Sequence, residues 1–456
     1  MVKIQKIIEF GFYLFIFLLP WQTRLIWQEA YLNGFVWEYG RFSLYGTEII
    51  LWLIILFWGF SLFKNFFWEK ISWSELIIQL KKPQVLIYWL IILFLFSAIL
   101  SGFWALDGRL AFFRAFVLIE AVALFSLVLN FKISFKKLAI CWVASATIQS
   151  VFAIWQFFNQ FVFANKWLGL AEHLSTVSGS IILQTVSERW LRAYGSLPHP
   201  NILGGFLAIS LLFLLYLAFI AQTRNQRFFV LTSLVVIMPA LFFSFSRSAW
   251  LALIFSLLIL SFWLLKNKNY LWHKPFIKIF LLMVLMVVIL GINLKNPLLT
   301  RILGREPAEI TSIQLRLTFT EQAIELIKKN PWAGTGIGNY TLGVFRQINS
   351  FWPGWAYQPV HNIYFLVLAE SGVFGALLFY LILILLIRGL KKSPAPPLPI
   401  NHLEKIIVSL ALFSILIISF FDHYFWTLYF GVIMFWLILA LNLKQLIPQN
   451  KSSITP

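Results

Sequence analysis

The sequence predicts an all-α polytopic membrane protein of about twelve transmembrane helices, wrapped around a long polar loop. Three observations predict it. Apolar residues make up 61% of the 456, charged residues only 12%, and mean hydropathy is +0.85, whereas soluble domains carry roughly 25% charged residues. Apolar runs near the ~20 residues that cross a hydrocarbon layer as helix recur along the whole chain. Between two of them lies a polar stretch from Arg301, which re-enters an apolar run at His361 and continues through Glu370 to Gly375. Open strand edges cannot face lipid, so each span is expected to be helical.

In order, the spans are read at 4–20, 43–63, 84–101, 109–130, 138–158, 201–221, 228–245, 248–265, 276–294, 361–387, 405–421 and 424–443. The first lacks a small-residue cleavage site and is read as a retained span rather than a signal peptide. Lys3, Lys6, Lys64, Lys70, Lys81, Lys82, Lys132, Lys136, Lys137, Arg224, Arg227, Lys266, Lys268, Lys274, Arg388, Lys391, Lys392, Lys444 and Lys451 fall on alternate loops and at the ends. By the positive-inside rule that side is cytoplasmic, with both termini on it. The chain then reads as one integral membrane domain, 1–456, with extracytoplasmic loops at 159–200 and 295–360. Segment 391–400 reads as a Pro-rich spacer. The net charge of +19 lies in these short clusters, not on one continuous face, which argues against nucleic acid. The single cysteine, Cys141, excludes an intrachain disulfide.

Chemistry is therefore expected on the outer side. Arg247, in Ser246-Arg247-Ser248, sits in a very short turn between two spans. A charge at the membrane boundary costs a few kcal/mol unless it is paired or snorkels. A topology-setting arginine would lie inside, so an anion site is the stronger reading. Arg192 precedes Pro198-His199-Pro200-Asn201, where the prolines mark a helix start. Helix N-termini attract phosphate, so Arg192 and Tyr194 are candidates for binding it. A surface pair of Arg192 with Glu188 fits equally. His199 and Asn201 are candidate caps, and for His199 capping outweighs catalysis. Residues 311–329 read as an amphipathic interfacial helix on the spacing of Leu315, Phe319, Ala323 and Leu326. Arg316 flanks its apolar stripe, directed at a lipid phosphate or solvated. Phe351, Trp352, Trp355 and Tyr357 read as an aromatic belt or as a platform for sugar rings.

His361 begins a helix after Pro359 and faces the outer loop. A lone histidine is usually structural. Its ordinary pKa near 6.5 and the polar residues on its side also fit a general base, with Asn362 and Tyr364 adding hydrogen-bonding groups. Glu370 falls on the opposite helix face and needs its own partner, for which Arg114 is a candidate. Asp107, Arg109, Arg114 and Glu120 read as a structural ion-pair group, with Asp107 as helix cap. Gly334-Thr335-Gly336-Ile337-Gly338 lacks the Lys-Ser/Thr of a phosphate loop and reads as a turn. No metal-ligand spacing, no acidic pair on the outer loops and no nucleophile-elbow motif occurs, so no metal and no cofactor is expected.

The ordered set Arg192-x-x-Gly195, His199-Pro200-Asn201, Ser246-Arg247-Ser248, Gln314-Leu315-Arg316, Asn330-Pro331-Trp332-x-Gly334-x-Gly336-x-Gly338, His361-Asn362-x-Tyr364 and Glu370-x-Gly372 resembles the O-antigen ligase and polymerase superfamily of bacterial envelope enzymes. The resemblance covers about 192–375, and the twelve-span layout extends it to the whole chain. It implies a GT-C-like, metal-independent glycosyltransferase in the cytoplasmic (inner) membrane. Such an enzyme moves a glycan from undecaprenyl diphosphate to a lipid or glycan acceptor on the extracytoplasmic face. It implies catalytic roles for Arg192, Arg247 and His361, with substrate contacts from Arg316, Tyr194, His199, Asn201, Asn362, Tyr364 and Trp355. O-antigen polymerase and protein O-oligosaccharyltransferase are alternatives within the superfamily. A lipid-linked glycan transporter would string charges through the midplane, whereas here they gather at one face.

Overall fold

The computed structural model describes residues 2–68, 83–177, 179–185, 188–266, 271–392 and 399–447. Lys70, Lys81, Lys82, Lys268 and Lys451, used above for orientation, lie outside the described residues, as does 393–398 of the Pro-rich segment. The helices are α1 (Val2–Leu18), α2 (Gly46–Trp68), α3 (Pro83–Leu100), α4 (Gly108–Asn130), α5 (Phe135–Asn159), α6 (Pro200–Ile220), α7 (Arg224–Phe243), α8 (Arg247–Lys266) and α9 (His273–Asn293). The long loop then folds as α10 (Lys295–Leu303), α11 (Pro307–Lys329) and α12 (Tyr340–Gln347). The chain returns through α13 (Ile363–Lys392), α14 (Pro399–Ile418), one-turn α15 (Tyr424–Thr427) and α16 (Tyr429–Lys444).

Ten of these helices are long and apolar enough to cross a membrane. With α1 and α16, of 17 and 16 residues, they account for all twelve apolar segments of the sequence. The protein is an all-α polytopic membrane protein. In the span of α6, 89% of residues are buried, against 11% in that of α9. So α6 is a central post and α9 an outer rim helix. At the start of α6, Gly204 and Gly205 leave room for Ser246 and for the Tyr424 hydroxyl, space a Cβ would occupy.

Polar segments at one end of the bundle form a cap. Residues 24–45 make two small ribbons, β1 (Arg24–Gln28) with β4 (Phe42–Tyr45), and β2 (Tyr31–Leu32) with β3 (Phe35–Val36). The 159–200 segment contributes β5 (Phe161–Val162) with β6 (His173–Leu174), and β7 (Ile182–Gln184) with β8 (Arg189–Leu191). The amphipathic helix is there as α11, with Phe319, Ala323 and Leu326 of the expected stripe buried and Leu315 exposed, facing a cavity beneath the cap. Those three pack with Trp37, Tyr340, Tyr357 and Leu366 in a core separate from the main bundle core. Trp37 Nε1 donates to Thr341 Oγ1 at 3.0 Å, and Asp107 N to Asn339 Oδ1 at 2.8 Å. The cap is thus stitched to both the first hairpin and the α3–α4 turn.

The glycine-rich segment is a turn, as read, and it docks on α13: Thr335 N donates to the Ala369 carbonyl and Gly336 N to that of Glu370, both at 3.0 Å. Two expectations change beside it. The Glu370 carboxylate accepts from Gly338 N (2.9 Å), Tyr340 N (3.2 Å) and Trp426 Nε1 (2.8 Å). Arg114, the candidate partner, makes no hydrogen bond to that carboxylate and acts on it only through space; it donates to the carbonyls of Tyr39 (3.1 Å) and Thr427 (3.3 Å). The Asp107, Arg109, Arg114 and Glu120 group also forms no ion pair among the described residues. Asp107 caps α4 through Leu110 N (3.1 Å), and Glu120 accepts from Trp52 Nε1 (2.6 Å). The reason is depth: Asp107, Arg114 and Glu120 lie progressively further along one helix, and each of the three meets a different neighbour.

Candidate active site

Beneath the cap is a cavity of about 1230 Å³, lined by residues of the first hairpin, both long loops and the α14–α15 turn. One wall is basic. Arg192 is 3% exposed; its Nε donates to the Ser244 carbonyl at 2.8 Å and Nη2 to Asn201 Oδ1 at 2.6 Å. Arg301 is 5% exposed; its Nε donates to the Phe245 carbonyl (2.8 Å) and Nη1 to both oxygens of Glu309 (2.5 and 2.7 Å). The Ser244 and Phe245 carbonyls turn toward these guanidiniums because Phe245 adopts a left-handed backbone, φ 46°. Such a conformation costs a non-glycine residue of order 1–3 kcal/mol and clusters at functional sites. Arg247 is not among the lining residues. It stands behind the wall, with Nη2 3.3 Å from Glu309 Oε2 and Nη1 donating to the Arg301 carbonyl at 3.3 Å. Arg316 lines the cavity, and its guanidinium makes no hydrogen bond among the described residues.

Four guanidiniums, Arg192, Arg247, Arg301 and Arg316, face two carboxylates, Glu309 and Asp422. Two positive charges remain uncompensated. Burial pulls the Arg192 guanidinium well below its ordinary value, and nearby Arg301 and Arg316 add repulsion. Burial likewise lowers Arg301 and Arg316. A bound anion would relieve both effects, since opposite charge favours the protonated guanidinium.

Next to this wall is a shelf of histidines. His361 stacks flat against Phe319, one turn beyond Arg316, at 6.0 Å between ring centres, and meets His423 edge-on at 5.1 Å. Its Nδ1 is buried without a well-formed hydrogen bond, though the Pro359 carbonyl interacts with the ring. Burial, with His423 and Arg316 nearby, pushes His361 down to about 3. It is a neutral imidazole at neutral pH, and a weaker base than the imidazole of ordinary pKa near 6.5 expected from the sequence. Asp422 opposes that shift and links the shelf to the basic wall: Asn201 Nδ2 donates to Asp422 Oδ2 at 3.0 Å, and Asn201 also holds Arg192. Burial pushes the Asp422 carboxyl up, but His423, His361, His199 and Arg316 outweigh it and hold it low. His423 Nδ1 pairs with Thr427 Oγ1 at 2.8 Å.

The remaining sequence candidates divide. His199 caps α6, Nδ1 accepting from Asn201 N at 3.0 Å, and burial pushes it down to about 3. Tyr194 lines the cavity, stacks on His173 at 4.2 Å and accepts from Ile181 N at 2.7 Å. Trp355, 63% exposed, stands at the cavity rim. Asn362 and Tyr364 are not among the lining residues. Asn362 Oδ1 accepts from Phe365 N (3.2 Å), capping α13, and the Tyr364 hydroxyl donates to the Leu416 carbonyl (3.0 Å). Arg192 does not pair with Glu188, whose Oε2 accepts from Trp190 Nε1 at 2.8 Å. Sequence reasoning passed over Arg301, Glu309, Asp422 and His423 as site members. Asp422-His423 carries the signal that singled out Arg247, ionisable residues in a short turn between spans. Arg301 and Glu309 carried none, lying among other charges of a long loop.

No curated protein matches the chain. The family model described as O-antigen ligase matches residues 232–380, a stretch that holds Arg247, Arg301, Glu309, Arg316 and His361, and so the chain's resemblance is to the O-antigen ligase superfamily.

Proposed function

We propose that the protein is an O-antigen ligase-like glycosyltransferase, moving a glycan from undecaprenyl diphosphate to a hydroxyl of a lipid or glycan acceptor on the extracytoplasmic face of the bacterial inner membrane. The observation that carries this reading is the surplus of two positive charges beside a buried neutral imidazole, with Arg316 lining the same cavity and making no hydrogen bond among the described residues. A diphosphate brings the charge this wall lacks. Arg192, Arg301 and Arg316 hold its oxygens; Arg247 keeps Glu309 and Arg301 in place from behind. Guanidiniums fixed by carbonyls and carboxylates need little reorganisation as charge develops on the leaving group.

In the reaction the acceptor O–H attacks the anomeric carbon and its proton passes to the His361 imidazole. The bond from that carbon to the phosphate oxygen breaks, and its electron pair leaves with undecaprenyl diphosphate. Asp422 faces the imidazolium that forms and lowers its cost. The protonated imidazole then returns its proton to solvent or to the departing diphosphate.

The test uses purified protein with an undecaprenyl-diphosphate-linked glycan and an envelope-lipid acceptor, with and without EDTA. Glycan should appear on the acceptor as undecaprenyl diphosphate is released, with EDTA making no difference. Movement of intact donor across vesicles without bond cleavage would mean transport instead.

A further inference from the structure

The cavity wall facing the hairpin is chemically unlike the basic one. Arg24 Nη2 donates to Glu38 Oε1 at 2.8 Å; Arg41 pairs with the other Glu38 oxygen, and its Nε with Glu29 Oε2 at 2.6 Å. Two guanidiniums meet two carboxylates, so this network is neutral. Tyr39 follows Glu38 and donates its hydroxyl to Gln358 Oε1 at 2.9 Å. Arg24, Glu38, Tyr39 and Gln358 all line the cavity. Together they present donors, acceptors and groups that are both.

The base stands between the two walls. The Tyr39 ring lies 5.9 Å from His423, His423 lies 5.1 Å from His361, and His361 stacks on Phe319, one turn past Arg316. In a displacement at the anomeric carbon the nucleophile enters opposite the leaving group. With the diphosphate on the arginines, the acceptor must approach from the Tyr39 side. A neutral wall rich in both donors and acceptors suits a ligand whose hydroxyls are both. The exposed Trp355 at the rim adds a flat apolar face for a sugar ring.

We infer that Arg24, Glu38, Tyr39 and Gln358 form an acceptor subsite for an uncharged, hydroxyl-rich saccharide. This assignment rests on the transferase reading above. Of the four, only Gln358 falls within the stretch matching the family model, so acceptor recognition is built largely from the N-terminal hairpin.

The test compares wild type with Arg24→Gln and Gln358→Ala. The acceptor probe is a neutral hexose oligosaccharide carrying an uncharged dye at its reducing end. Each substitution should raise the acceptor KM on the order of tenfold, while the donor KM stays within about twofold. An unchanged acceptor KM in both variants overturns the subsite, as does a donor KM that rises by the same factor. If wild type transfers nothing, the function fails first. Equilibrium dialysis of the labelled oligosaccharide then decides the subsite alone: weaker retention by both variants supports it, and equal retention by all three proteins overturns it.

Discussion

The two walls of the cavity are built from the same side chains in different proportion. On one, four arginines face two carboxylates; on the other, two arginines face two. The difference in charge is accompanied by a difference in burial. The Arg301 and Glu309 side chains are 6% and 5% exposed, those of Arg24 and Glu38 30% and 40%. A buried guanidinium cluster with unspent charge is costly unless an anion balances it, which is the place the proposed diphosphate would take. A balanced, hydrated network carries no such cost and offers hydrogen bonds instead. One wall carries surplus charge and the other balanced hydrogen-bonding groups, and the imidazole sits where they meet.

The largest effect should come at that meeting point. General-base catalysis contributes about 10²–10⁴ in rate, so His361→Gln should cut kcat for transfer by about that factor while leaving expression and membrane insertion unchanged. Full transfer by that variant would remove the imidazole from the chemistry. On the basic wall, Arg316→Gln should lower kcat about 10²–10³-fold, the usual loss on removing one preorganised donor to developing charge. Arg316 makes no hydrogen bond or close ion pair among the described residues and feels Asp422 only through space, so the thermal midpoint should change little. A fall in midpoint without loss of rate would make Arg316 a structural residue.

Stability separates the walls from the other direction. Glu309→Gln strands the buried Arg301 guanidinium, and breaking a buried pair by one partner costs about 3–5 kcal/mol. Glu38→Gln, on the half-exposed network, should cost about 0–1 kcal/mol because water screens the pair. The comparison is read from thermal melts in detergent, and equal losses would erase the distinction.

The legibility of these parts differs for physical reasons. Lipid imposes a spanning length on every helix, so the twelve segments were visible in composition alone. Arg247 and His361 were visible because each interrupts an apolar run at its edge. The strand register that brings Arg24 to Glu38, 14 residues apart, depends on the hairpin closing. The contact of Tyr39 with Gln358 spans 319 residues and has no local sign. Arg301 and Glu309 were lost among Arg305 and Glu306, since nothing in a polar loop tells a buried charge from a hydrated one. Arg247 also shows that being found is not being placed: the residue stood out in the sequence, but its guanidinium stands one side chain behind the wall.

The pH response leaves the initial rate least changed of all, and its sign follows from burial. His361 and His199 are held down to about 3, against 6.5 unperturbed. Both are therefore neutral throughout the physiological range, and His361 keeps its lone pair on acidification. The acid limb of kcat/KM for transfer should be absent near pH 6.5 and begin only below about pH 5. For stability, the unfolded chain takes up protons at these residues near pH 6.5 and the folded chain does not. Folding free energy is therefore lost as pH falls from about 6.5 toward 3, at up to about 1.4 kcal/mol per pH unit for each group. Activity and stability should part company between pH 6.5 and 5, the initial rate holding while the melting midpoint declines. A rate that falls with an apparent pKa near 6.5, and regains a flat profile when His423 rather than His361 is replaced, would move the base to the neighbouring ring.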